Sequence, residues 1–308
     1  MMSTSAAQML EIPILEDPDG QFHKHYNRTS FEFSHGLANH PLFELPSLIA
    51  LARRMPDHHD TYWSNGSVGV ANRWEDGMAG RASLEDTLTH IADNNSIVIL
   101  KHTEQDSEFA PVLQTFLQRV VDHAGAQMRD DVIVGEVLIL VTSPNRVTPY
   151  HIDAESNHIV QITGEKTLSV FDQNDRELLT DLELERYYTG DASGAQYRQE
   201  YQKQAQHYRL RPGIGVHMPV AAPHWVQNDD NISVTLSVNY ELHSLRHLRQ
   251  IYAMNRRLRR FGLTPTPPGR SIALDKCKYV AQRGASSLRA LLGKRPLPPP
   301  THGIWTPV

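Results

Sequence analysis

Short apolar or alternating runs, punctuated by turn-forming residues, fill the stretch from Val132 to Tyr240 and predict a mainly β fold, a sandwich or small barrel. Two further observations set its borders. The N-terminal third carries helix-like segments, and after Glu241 the pattern becomes helical and strongly basic. The expected organisation is therefore an α/β segment over 1–130 packing on the barrel and a β core over 131–241. A basic helical extension over 242–295 and a proline-rich tail over 296–308 follow.

Along the chain, Met9 to Leu15 reads as a strand, and Leu45 to Arg54 as a helix with Pro46 in its first turn. Ser83-Leu84-Glu85-Asp86 has a capping pattern and starts a helix expected to end near Asp93. Ser96 to Leu100 is a β-branched run, a buried strand. Val112, Leu113, Phe116, Leu117, Val120 and Val121 recur at helical spacing within Phe109 to His123. The core strands are expected over Val132–Val141, Val147–Ile152, His158–Ile162, Lys166–Phe171, Gly215–Met218, His224–Gln227 and Ser233–Tyr240. Ser143-Pro144-Asn145, Thr163-Gly164, Arg211-Pro212-Gly213 and Asn228-Asp229-Asp230-Asn231 supply the turns. Tyr187 to His207, polar and rich in Gln and Tyr, reads as a helical or irregular insertion, and with the N-terminal segment it is the candidate lid over a site. Beyond Glu241 one helix is expected to stop at Gly262, Thr264-Pro265-Thr266-Pro267-Pro268 breaks the pattern, and a second helix covers Ser271 to Leu292.

The 308 residues carry 40% hydrophobic and 21% charged side chains, ordinary for a water-soluble globular chain. No apolar run is long enough to span a bilayer, and the first residues lack the pattern of a signal peptide. The single cysteine, Cys277, excludes an intramolecular disulfide and a cysteine-built zinc site. A cytoplasmic location is the expectation. The net charge of −5 conceals a division: from Leu242 to Pro296 thirteen Lys and Arg face Asp275 alone, a net +12 that leaves −17 elsewhere. A basic tail apposed to an acidic surface, the chain's own or a partner's, follows.

Against this frame, His151-Ile152-Asp153 and the distant Pro223-His224-Trp225 are the chemically telling residues. Positions i and i+2 of a strand face the same side, so His151 and Asp153 can grip one ion. With a third histidine this is the 2-His-1-carboxylate pattern, which leaves coordination positions of Fe(II) open for a cosubstrate and O₂. His224, at a strand start beside Pro219 and Pro223, is the third candidate, and His217 is its rival. An isolated His-x-Asp can equally be an exposed strand end. Lys166, one hairpin after His151, is a candidate cation for the far carboxylate of 2-oxoglutarate, or else a solvated residue after a turn.

The run Thr148-Pro149-Tyr150-His151-Ile152-Asp153, then Asn157, then Gln161-Ile162-Thr163-Gly164-Glu165-Lys166 resembles the core of the JmjC and cupin-like hydroxylases, the asparaginyl hydroxylases above all. Their pattern T-P-x-H-x-D, Asn, Q-I-x-G-x-K has the same offsets, and their Asn fifteen residues past the distal metal His is matched by Asn239 after His224. The resemblance covers Val132 to Glu241, about a third of the chain. It implies a jelly-roll, cupin-like double-stranded β-helix with His151, Asp153 and His224 as catalytic iron ligands. It further implies Thr148, Asn157 and Lys166 at 2-oxoglutarate, with Asn239 lining the same site. The activity implied is hydroxylation of a C–H bond in a protein side chain or small molecule, using O₂ and releasing succinate and CO₂. Where those enzymes have an aromatic two positions after the Asn, this chain has Glu241.

A non-catalytic cupin-like metal-binding or regulatory protein is the alternative, associated with nucleic acid through its tail. Other histidines suggest less. His158 reads as a barrel-wall residue, His58-His59-Asp60 as a loop, and His243/His247 as a polar helix face despite their i, i+4 spacing. Gly213-x-Gly215 has no following helix and is not a nucleotide loop. The basic tail admits three roles: helices that cap or dimerise the barrel, a surface for acidic partners including nucleic acid through Arg256 to Arg260, or contact with an anionic membrane surface.

Overall fold

The computed structural model describes residues 14–55, 62–64, 66–73 and 82–291. The strand expected over Met9–Leu15, except its last two residues, lies outside them, as do His58-His59-Asp60 and the tail from 296. The elements in chain order are α1 (Gln21–His25), β1 (Phe31–Ser34), α2 (Leu45–Arg54), β2 (Tyr62–Ser64), α3 (Leu84–Thr89), β3 (Ile97–Leu100), α4 (Ala110–Ala124) and α5 (Ala126–Arg129). The core follows with β4 (Val132–Thr142), β5 (Val147–His151), β6 (Ser156–Thr163), β7 (Lys166–Val170), α6 (Asp181–Tyr187), β8 (Gln206–Leu210), β9 (Ile214–Met218), β10 (His224–Asn228) and β11 (Ser233–Leu242). The chain then runs through α7 (His243–Arg260) and α8 (Ile272–Leu291).

Two antiparallel sheets form, in the orders β1-β9-β6-β11-β4-β3-β2 and β5-β10-β7-β8. From β4 to β11 the chain passes back and forth between them, with β4, β6, β9 and β11 in the first and β5, β7, β8 and β10 in the second. That path is the jelly roll, a double-stranded β-helix. Strands β1, β2 and β3 extend the first sheet at its edges.

Side-chain alternation separates two cores. On the outer face of the first sheet, Val137, Ile139, Val160, Leu236 and Val238 pack against the buried stripe of α4 and against Phe22, Leu48 and Phe109. All six apolar α4 positions read from the sequence are buried. On the inner face, Ile159, Val216 and Met218 meet Leu168, Val170 and Val226 of the second sheet. Ser83 caps α3 as its sequence pattern requires, its hydroxyl accepting from the Asp86 N–H at 3.1 Å.

Parity decides where the histidines point. Val216 and Met218 face into the barrel, so His217 between them faces the helices. There the Asn27 N–H donates to His217 Nε2 at 2.8 Å, leaving Nδ1–H to donate to His158 Nε2 at 3.1 Å. His158 Nδ1–H in turn donates to the Val238 carbonyl at 3.3 Å. Both rings are neutral in this chain of donors, and both are fully buried.

Strand β8 overlaps the expected irregular insertion, Tyr187 to His207, only at Gln206 and His207, and its other three residues carry no expected element. It pairs only with β7, and of its five residues only Tyr208 and Leu210 are buried, so a polar sheet edge conceals it. Upstream, Thr180 and Glu183 form a reciprocal capping box that starts α6. The basic α7 begins where the Asp131 carboxylate accepts the Ser244 N–H at 2.7 Å. It packs on α6 through Arg259, whose Nε lies 2.9 Å from both oxygens of the buried Glu185. Part of the tail's positive charge is thus matched within the chain. Phe261, Leu263, Ile272, Leu274 and Val280 remain exposed around α7 and α8. No helix among the described residues is long and apolar enough to cross a membrane.

Gly164 makes the β6–β7 turn at φ 77°, where a Cβ would stand 2.2 Å from Asn231 Oδ1 and 2.3 Å from the Ile232 carbonyl. Gly164→Ala is expected to cost about 1–3 kcal/mol, read as a lower denaturation midpoint in urea. Burial lowers His158 to about 3 and pushes His217 down as well. Unfolded, both rings would take protons below their ordinary 6.5, so the unfolded chain binds more protons there. Stability should be insensitive to these groups above about pH 6.5 and fall as pH drops below it, by up to about 1.4 kcal/mol per pH unit for each imidazole. Denaturation midpoints compared at pH 7.5 and pH 5 check this, and equal midpoints would contradict it.

Candidate metal centre

His151 ends β5 and His224 begins β10, and the antiparallel pairing of these strands sets the two residues directly opposite each other. Their rings lie 4.1 Å apart between centroids. The register shifts between His224 and Val226, an irregularity that re-aims the side chains at this end of the sheet. Asp153 follows two residues after His151. Its carbonyl accepts the Ala221 N–H at 2.8 Å, which ties the end of β5 to the loop that presents His224.

Each imidazole is oriented by the backbone carbonyl two residues before it. His151 Nδ1–H donates to the Pro149 carbonyl at 2.7 Å, and His224 Nδ1–H to the Ala222 carbonyl at 3.0 Å. The Nε2 lone pairs are left for the site. His151 Nε2 lies 3.9 Å from Asp153 Oδ1, and His224 Nε2 lies 3.7 Å from Asp153 Oδ2. Burial, and next the neighbouring His151, hold His224 below the usual imidazole range and keep it neutral, the state a metal ligand needs. The three ligand atoms fall within 4.8 Å of one another, the only such cluster among the described residues. Two imidazole nitrogens and a carboxylate with that spacing fit one divalent ion with positions to spare. Asn157 Nδ2 donates to Asp153 Oδ2 at 3.0 Å and to Ser237 Oγ at 3.1 Å, fixing the carboxylate. The Ser237 hydroxyl reaches Asn239 Oδ1 at 3.1 Å.

A cavity of about 330 Å³ opens on this cluster and is lined by all seven residues singled out in the sequence: Thr148, His151, Asp153, Asn157, Lys166, His224 and Asn239. Lys166 points inward from β7 and is 4% exposed. It pairs in register with Asn228 at the far end of β10 from His224, four residues or about 13 Å of strand away. Its Nζ donates to Thr235 Oγ1 at 2.6 Å, and among the described residues no carboxylate pairs with it. Burial lowers it to about 7. A buried cation with one neutral partner suits the far carboxylate of a short dicarboxylate held at the triad.

Several cavity residues escaped the sequence reading. Glu136, Leu138, Leu140 and Thr142 of β4 alternate into the cavity; Tyr187 and Ala192, both within the stretch expected as a lid, reach it from α6 and the following turn. The signal for Glu136 and Thr142 was present, as polar residues at period two in an otherwise apolar strand. His217 is excluded from the cluster by strand parity, and His243 and His247 lie exposed on α7.

No protein-family model matches the chain, and no curated protein matches it in sequence. Solved structures do match. The X-ray structure of ycfD from E. coli aligns with a TM-score of 0.54 at 15% identity, over 89% of this chain and 68% of that one. The crystal structure of Escherichia coli ribosomal oxygenase YcfD, and a structure of that oxygenase in complex with cobalt and 2-oxoglutarate, each give 0.50 at 14% identity with the same coverage. At this identity the likeness is one of fold, and it agrees with the jelly roll traced by the strand order.

Proposed function

We propose that this chain is an Fe(II)- and 2-oxoglutarate-dependent oxygenase that hydroxylates a C–H bond of a protein side chain or small molecule. The observation that carries the reading is a single cavity holding His151, Asp153 and His224 at one end and Lys166, without a carboxylate partner among the described residues, toward the other. The fold shared with an oxygenase that binds cobalt and 2-oxoglutarate supports it.

His151 Nε2, His224 Nε2 and the Asp153 carboxylate would hold the metal, and Lys166 with Thr148 would receive the far carboxylate of 2-oxoglutarate. When bound, the iron and keto acid supply the oxidising power: 2-oxoglutarate and O₂ become succinate and CO₂, and one oxygen atom enters the substrate C–H bond. The protein's own part is placement. Hydrogen bonds from Nδ1 fix both imidazoles, Asn157 steadies the carboxylate, and Asn239 and Glu136 border the space beside it. Leu138, Leu140, Ile159 and Val226 give the cavity apolar walls that keep water away from the cosubstrate.

Iron-dependent formation of succinate from 2-oxoglutarate, with substrate or uncoupled, is the deciding measurement. Metal binding with no turnover would leave a binding protein. His151→Ala is expected to abolish metal binding, read as metal content after dialysis. Lys166→Ala is expected to raise the 2-oxoglutarate requirement tenfold or more while metal content stays unchanged.

A further inference from the structure

Behind Lys166 lies a hydrogen-bond network whose direction at Gln161 is set by two backbone carbonyls, with only the 3.4 Å contact between the Ser233 and Thr235 hydroxyls open to either sense. Gln161, fully buried, has its Nε2 2.7 Å from the Thr163 carbonyl, 3.0 Å from the Gly164 carbonyl and 2.9 Å from Ser233 Oγ. Carbonyls only accept, so the amide nitrogen must face them and Gln161 Oε1 must face the other way. That oxygen lies 2.9 Å from Thr235 Oγ1 and cannot donate, so the Thr235 hydroxyl donates to it. The hydroxyl's lone pairs then accept from Lys166 Nζ at 2.6 Å. The carbonyls that fix this order belong to the turn leading into β7, the strand that carries Lys166.

Resting on the functional reading above, we infer that Thr235 and Gln161 are positioning residues for the cosubstrate: they aim Lys166 and hold Thr235 as an acceptor, so that the far carboxylate is met by Lys166 Nζ and enters together with one proton. The Thr235 hydroxyl has its hydrogen committed to Gln161 and cannot serve the carboxylate itself. It can accept from an amine as well as from an ammonium, more strongly from the ammonium, so the resting cavity can hold Lys166 uncharged while the hydroxyl still favours its protonation. Lys166 is flanked in register by Asn228 and Leu210 and faces Thr235, none of which titrates. The charged groups lining the cavity besides Lys166 are Lys101, Glu136, Asp153 and Glu155, with the His151 and His224 rings. With burial alone lowering the lysine to about 7, an arriving carboxylate favours the ammonium, and the added proton comes from solvent onto Nζ.

The test is calorimetric binding of 2-oxoglutarate to the Mn(II)-loaded chain, from pH 6 to 9 and in buffers of different ionisation enthalpy. The comparison is among the wild type, Thr235→Val and Thr235→Ser. The wild type should take up protons on binding and lose affinity about tenfold per pH unit above the lysine's midpoint. Thr235→Val should bind tenfold or more weakly at pH 7.5, with its loss of affinity beginning at a lower pH. Thr235→Ser should stay near the wild type in both. Metal content and thermal midpoint identify a variant that has merely lost its fold, and Thr235→Ser then still tests the hydroxyl. If the wild type binds 2-oxoglutarate but Thr235→Val matches it in affinity and pH profile, or if Thr235→Ser fails as Thr235→Val does, this inference falls alone. If the wild type binds no 2-oxoglutarate at any pH, the functional reading falls with it.

Discussion

The antiparallel pairing of β5 with β10 is the constraint on which the rest of the site depends. Directly opposed residues in such a pair lie within about 5.5 Å at Cα. That separation brings His151 and His224 together although they stand 73 positions apart in the sequence. Asp153 needs no strand of its own, because the Ala221 N–H holds its backbone at the open end of the same pair. On its other side β10 pairs with β7, which sets Asn228 beside Lys166, so one strand spans both ends of the cavity.

The barrel interior holds many buried polar side chains, and their burial rests on mutual hydrogen bonding rather than on exposure. Gln161, Thr235 and Ser233 form one closed network behind Lys166, and Asn157, Ser237 and Asn239 form another beside Asp153. A buried amide or hydroxyl without a partner costs about 1–3 kcal/mol, so each network holds its members in a single arrangement. Ile159 separates the two on β6, which leaves the His-Asp-His cluster at one end of the cavity and Lys166 toward the other.

The helical extension is part of this architecture rather than an appendage. Asp131, at the entry to β4, caps α7, and Glu185 of α6 takes Arg259. Since α6 also carries Tyr187 to the cavity mouth, the contact between α6 and α7 bears on how that mouth is shaped.

The site was legible in the sequence because its residues lie on local spacings. His151 and Asp153 share a strand face by period two, and Lys166 follows one hairpin later. The amphipathic α4, the capped α3 and most of the core strands were equally readable, because burial on one face writes a period into neighbouring residues. Strand β8 was not, since an edge strand with polar outer positions writes almost none. The sequence by itself determined which side chains could make the chemistry: two histidines, one carboxylate and one lysine in a β framework. Only the tertiary structure decided that His224 and not His217 completes the cluster, because that choice turns on which sheet face a strand presents. It alone also placed Thr235 and Gln161 behind Lys166, since cross-strand contacts 69 to 74 residues apart leave no local pattern to read.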